Sequence, residues 1–201
     1  NKEQQRAVKI LNGPVLVLAG AGSGKTRVLT HRIAFLISKG VNPLNILGIT
    51  FTNKAATEMK DRVRKLLFSE RLNTENRVNM PTLGTFHSVC VRILRREIEL
   101  LGIKSSFAIY DDDDQMKTIK SIMKDKGIST QRINPRVIQS LISSAKNELM
   151  DPNEYAGRAN THIEKLAAGI YVTYQEKLKQ NNACDFDDLI GHTVKILKKY
   201  P

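Results

Sequence analysis

Short apolar runs, each followed by a polar turn and then by apolar residues at helical spacing, recur three times in the first half of the chain. Val15, Leu16, Val17 and Leu18 form an unbroken run of the kind buried on both faces of a parallel sheet. Leu29, Ile33, Leu36 and Ile37 follow at helical spacing as far as Gly40, a helix stop. Residues 46–51 predict a second strand, Thr52-Asn53 a turn, and Ala55, Ala56, Met59, Val63, Leu66 and Leu67 the inward face of the next helix. The third repeat is shorter. Residues 82–86 form the strand, His87-Ser88 the turn, and Val91, Leu94, Ile98 and Leu101 the helical stripe that stops at Gly102. Strands alternating with helices predict an α/β domain with a parallel sheet and right-handed crossovers.

Beyond Gly102 the alternation fails, and residues 111–199 read as successive helices. Met116, Ile119, Ile122 and Met123 mark one, and Pro135 opens a second with Ile138, Leu141, Ile142 and Ala145 inward. A third carries Ile163, Leu166, Ala167, Ile170, Tyr171, Tyr174 and Leu178. The last starts at the acidic turn Asp185-Phe186-Asp187-Asp188 and buries Leu189, Ile190, Val194 and Leu197. The pattern is that of a mostly α-helical inserted subdomain.

Composition narrows the classes. The chain has 201 residues, 41% of them hydrophobic, enough for one sizeable domain or a domain with an insert. No apolar run approaches the roughly 20 residues of a membrane-spanning helix, and nothing resembles a signal peptide. Cys90 and Cys184 lack a partner pattern and are expected as reduced thiols in a cytoplasmic protein. Lysine plus arginine total 32 against 20 acids, a net charge of +12 that suits a polyanionic partner such as nucleic acid.

The glycine-rich stretch between the first strand and its helix, Ala19-Gly20-Ala21-Gly22-Ser23-Gly24-Lys25-Thr26, fits the phosphate-binding P-loop with alanine in first place. Glycines let backbone N–H groups turn inward around phosphates, and the following helix offers them its positive end. Lys25 is placed to reach the β- and γ-phosphates, and the Thr26 hydroxyl to hold Mg²⁺. A flexible turn would not need the flanking strand and amphipathic helix. By itself the loop does not separate kinase from GTPase from motor.

The surrounding stretches resemble the UvrD/Rep/PcrA family of superfamily 1 DNA helicases along essentially the whole chain. "NKEQQRAV" is similar to the family's Q motif, "AGAGSGKTRV" to its ATP-binding motif, "GITFTNKAATEMKDRV" to motif Ia, "LGTFHSVCVRILRRE" to its TFHS element, and "DFDDLI" to the segment where its helical 1B insert returns. The resemblance implies an α/β P-loop NTPase fold: a first RecA-like ATP-binding domain from residues 1–103 and 183–201, with a 1B-like helical insert at 104–182. It implies ATP and Mg²⁺ as cofactors and a 3′ to 5′ helicase or translocase acting on single-stranded DNA and single-strand/duplex junctions, with repair or replication proteins as partners. Gln4 and Arg27 then serve the base side of the nucleotide, and Lys146 is a candidate contact to DNA.

Independently of the family, the second and third repeats put polar and aromatic residues at the C-terminal ends of parallel strands, where open α/β sheets bind ligands. Phe51 lies among Thr50, Thr52, Asn53 and Lys54, a ring for base stacking beside donors for phosphate oxygens. Phe86 and His87, with Thr85 and Ser88, repeat the combination. The alternative is that both phenylalanines are core aromatics. His87 lacks the Cys/His or acidic neighbours of a metal site. Lys117, Lys120 and Lys124 share a helical face that reads as a solvated surface.

Hydrolysis in this class needs an apolar strand ending in Asp-Glu. The nearest candidate, "FAIYDDDD" at residues 107–114, reads instead as the N-terminus of a helix. The chain starts inside the Q motif and ends at Pro201. It is therefore expected to be an N-terminal piece of a helicase that binds ATP without hydrolysing it efficiently. Two alternatives stay open: another P-loop NTPase or kinase using Asp111 as its metal acid, or a DNA-binding module with a vestigial nucleotide site.

Overall fold

The structure, a computed structural model, describes residues 2–20, 22–69 and 79–200, with the side chain of Ser69 excluded. The chain divides into two compact units, Asn1–Val89 and Cys90–Pro201. The α/β class expected from the repeats is the one found, with short parallel strands and mostly helical content.

The first unit contains helices α1 (Lys2–Lys9), α2 (Lys25–Ser38) and α3 (Asn53–Ser69), strands β1 (Leu47–Thr50) and β2 (Thr82–Thr85), and the start of helix α4 (Phe86–Glu97). β1 and β2 pair in parallel with Leu47 opposite Thr82 and Thr50 opposite Thr85. Ile33, Ala34 and Ile37 of α2 meet Met59, Val63 and Leu67 of α3 around Leu83 and Ile46. The spacing of three and four residues puts each set on one helix face, and complete burial of such a side chain is worth about 1.5–3 kcal/mol.

The first predicted strand is corrected. Residues 15–18 pair with no strand among the described residues, and Leu16 and Leu18 stand 83% and 86% exposed. A strand exists only by sharing backbone hydrogen bonds with a neighbour, and among the described residues β1 and β2 pair with each other and with no third strand.

The second unit holds the rest of α4, strand β3 (Ala108–Tyr110), helices α5 (Asp112–Asp125), α6 (Pro135–Asn147), α7 (Pro152–Arg158) and α8 (His162–Gln180), strand β4 (Ala183–Asp185) and helix α9 (Phe186–Lys199). β3 and β4 run parallel with Tyr110 opposite Asp185. Ile119, Ile122 and Met123 of α5, Ile138 and Ile142 of α6, and Ala167, Ile170 and Tyr174 of α8 form one apolar cluster. Phe107, Cys184, Leu189 and Ile196 join Leu94 and Ile98 in another. Leu29, Ile163, Ile190 and Leu197, expected inward, are exposed. In α9 the buried stripe runs Leu189, Thr193, Ile196, and Leu197 lies one position, about 100° of helical rotation, off it. Both cysteines are free thiols. Burial, with Asp188 and Asp185 nearby, pushes the Cys184 thiol up to about 12. Among the described residues no helix is long and apolar enough to cross a membrane.

Candidate nucleotide and nucleic-acid sites

Helix α2 begins differently from the helices that follow it. Thr52 caps α3 by accepting from the Ala55 N–H, and Thr85 caps α4 by accepting from the Ser88 N–H. Asp111, Asn134, Asp151, Thr161 and Asp185 cap α5 to α9. The residue before α2 is Gly24, which offers no side-chain cap, and the first turn carries no acid. Its φ of 83° lies in the left-handed region, where glycine is at home and a side chain is strained. Among the described residues no side chain caps the first-turn N–H groups and no acid offsets the positive end of the helix dipole, which faces the glycine-rich loop. Lys25, in that turn, donates to the carbonyls of Ala19 at 2.9 Å and Gly20 at 2.6 Å. Ser23 donates its hydroxyl proton to Gly20 O. Thr26 follows, half-buried, and Ala21 lies outside the described residues. Backbone donors, a lysine and no acid form a site that fits phosphate. Among the described residues no cluster of His, Cys, Asp or Glu could hold a metal by itself.

Gln4 of α1 donates to Ser23 O at 2.9 Å, fastening the helix to the loop. Arg32 of α2 donates to Ala7 O at 2.8 Å and holds the other end. Between the two helices runs a groove of about 380 Å³ lined by Gln4, Gln5, Val8, Arg27, His31 and Phe35. It offers amide and guanidinium edges beside apolar walls, next to the glycine-rich loop. At the far ends of β1 and β2, the Thr50–Thr85 pairing brings the next residues together. Phe51 is 91% and Phe86 45% exposed, with ring centroids 5.5 Å apart and planes tilted by 49°. Two adjacent rings in solvent have given up burial. Thr52, Asn53 and Lys54 are exposed beside them, whereas Thr85 is buried and His87 half-buried.

With this geometry in place, comparison with known proteins settles the family. The model of the UvrD/REP helicase N-terminal domain matches residues 1–201. The chain belongs to this UvrD/REP family. Over 202 aligned residues it is 48% identical to the ATP-dependent DNA helicase PcrA of Bacillus subtilis (strain 168), covering 100% of this chain and 26% of that protein. It is 46% identical to PcrA of Staphylococcus aureus (strain Mu50 / ATCC 700699) and 47% identical to PcrA of Staphylococcus epidermidis (strain ATCC 35984), in both cases over 100% of this chain and 27% of the relative. The chain thus spans about a quarter of the length of these relatives.

Within this UvrD/REP domain two sequence expectations change place. Lys146 is corrected: it is 6% exposed, with its ammonium 2.6 Å from Asp185 Oδ2 and 2.9 Å from Asp188 Oδ1, not turned outward toward DNA. Burial alone would lower its pKa, but Asp188 and Asp185 outweigh that and hold it above the usual lysine value. Tyr174 donates to the same Asp185 oxygen at 2.9 Å. Asp111, the alternative metal acid, accepts from Asp114 N at 2.9 Å in a reciprocal cap and is committed to starting α5. Phe186 is among the exposed rings that escaped the sequence reading. Phe186, 43% exposed in the first turn of α9, lines a groove of about 520 Å³ with Ser140, Ser143 and Ser144 of α6. The available signal was its place between two aspartates, off the Leu189 stripe.

Proposed function

We propose that this chain forms the nucleotide-binding and single-strand-binding part of an ATP-dependent DNA helicase or translocase that moves 3′ to 5′. The observation that carries the reading is the uncapped, acid-free start of α2, with Lys25 in its first turn, in a chain where α3 to α9 are capped by side chains. Lys25 and the α2 amides hold the nucleotide phosphates, the Thr26 hydroxyl reaches Mg²⁺, and Gln4 and Arg27 line the base side in the α1–α2 groove. Residues 50–54 with Phe86 and His87 form the single-strand surface, Phe51 and Phe86 being its stacking rings, and Thr85 and Ser88 lie beneath and beside them at the end of β2. The names of the PcrA relatives support helicase activity for the whole protein. Junctions of single and duplex DNA are its proposed substrates, and repair or replication proteins its proposed partners. Residues 1–103 and 183–201 are assigned to the RecA-like domain and 104–182 to the insert.

The sequence contains no Asp-Glu pair. These 201 residues are therefore expected to bind nucleotide without efficient turnover. The test is an ATP-binding titration and a steady-state ATPase assay, each with and without single-stranded DNA, on this chain and its Lys25→Ala and Phe51→Ala variants. Lys25→Ala abolishes nucleotide binding, and Phe51→Ala weakens single-strand binding about fivefold or more while leaving the nucleotide affinity unchanged. DNA-independent turnover that disappears with Lys25 would identify a self-sufficient P-loop enzyme of another kind.

A further inference from the structure

A hydroxyl group has one proton to give, and at the end of β2 that proton is already spent. Ser88 donates its hydroxyl proton to Thr85 O at 2.9 Å, and its oxygen accepts from Thr85 N at 2.8 Å. Thr85 Oγ1 in turn accepts from Ser88 N at 3.2 Å. A DNA phosphate offers only acceptors, so Ser88 cannot donate to one without releasing Thr85.

Phe86 sits between these two residues as the first residue of α4. The three bonds fix both the backbone entering it and the helical turn leaving it. The strand is shaped to admit the serine: a Cβ built on Gly84 would collide with Ser88 Oγ. The end of β1 repeats the distinction between neighbouring hydroxyls. Thr50 donates to Thr52 O at 3.1 Å, while the hydroxyl of exposed Thr52 accepts from Ala55 N at 3.2 Å.

We infer that Ser88 is a positioning residue, a hydroxyl staple that sets the angle of the Phe86 ring beside Phe51, and that it gives nothing directly to bound DNA. This rests on the proposed role of Phe86 in single-strand binding. It divides the TFHS element into a ring that meets a base and a serine that aims the ring, with Gly84 making room for the serine.

The test measures the affinity of the full protein for a fluorescein-labelled oligo(dT) strand by anisotropy, and its ATP affinity in parallel. Phe86→Ala and Ser88→Ala are each expected to weaken DNA binding about fivefold or more with nucleotide affinity unchanged. In the Phe86→Ala background, Ser88→Ala adds less than about a twofold change, because its whole effect passes through the missing ring. Gly84→Ala, which evicts the hydroxyl without removing it, matches Ser88→Ala, and Ser88→Thr restores the wild-type affinity. An equal loss from Ser88→Ala with and without Phe86 overturns the inference in favour of a direct DNA contact. A Ser88→Ala protein that binds DNA normally while Phe86→Ala does not overturns it as well. If Phe86→Ala has no effect, the reading of the Phe86 surface falls first and takes the inference with it.

Discussion

Lys146 exchanges the hydration of an ammonium ion for two carboxylates and the face of the Tyr174 ring, 5.0 Å from its nitrogen. The group carries one positive charge against two negative ones, and burial together with Asp188 already raises the Asp185 pKa. Removing the cation leaves both carboxylates buried without it. Lys146→Ala is expected to cost about 3–5 kcal/mol in urea denaturation, and the loss of folded protein, not a weakened DNA contact, is its phenotype. Lysines read as surface residues by default, since side-chain burial is invisible in one dimension. What could be read was the helical register. Lys146 follows Ala145 and lies four residues beyond Ile142, on the buried side of α6, whereas Lys117, Lys120 and Lys124 fall outward on α5.

At the scale of elements, legibility followed local chemistry. The acidic run at 111–114 was readable as a helix start because a capping box is written in adjacent residues, and Asp111 closes that box with Asp114. Asp111→Ala should cost about 1 kcal/mol of stability in the same denaturation experiment, with nucleotide affinity unchanged. A loss of ATP binding would revive the alternative that makes Asp111 a metal acid. The starts of α2 and α3 and the ends of β1 and β2 were readable for the same reason. The strand at 15–18 was not settled by its own sequence, because apolar composition proposes a strand and only a neighbour can hydrogen-bond it. α1, α7 and β4 went unforeseen. They are short, and α7 and β4 rest on non-local contacts: Tyr155 of α7 joins the α8 cluster, and β4 pairs with β3 across more than seventy residues. The exposed pair of rings could be proposed but not decided from sequence, since Phe51 and Phe86 meet through strand register.

Across the whole molecule, the net charge of +12 that accompanies the exposed Phe51–Phe86 pair also keeps copies of the chain apart. That repulsion bears on Val15–Leu18, the apolar stretch that pairs with no strand among the described residues. An unpaired, β-prone ribbon is a template for the same ribbon in another copy, and only Pro14 and the neighbouring glycines interrupt its ends. Salt screens the repulsion over about 10 Å at 0.1 M and about 3 Å at 1 M. The chain should therefore self-associate as salt rises, through intermolecular strand pairing. Sedimentation of this chain beside its Leu16→Lys variant checks it: the variant, with a charge set on the ribbon, stays monomeric where the parent chain does not.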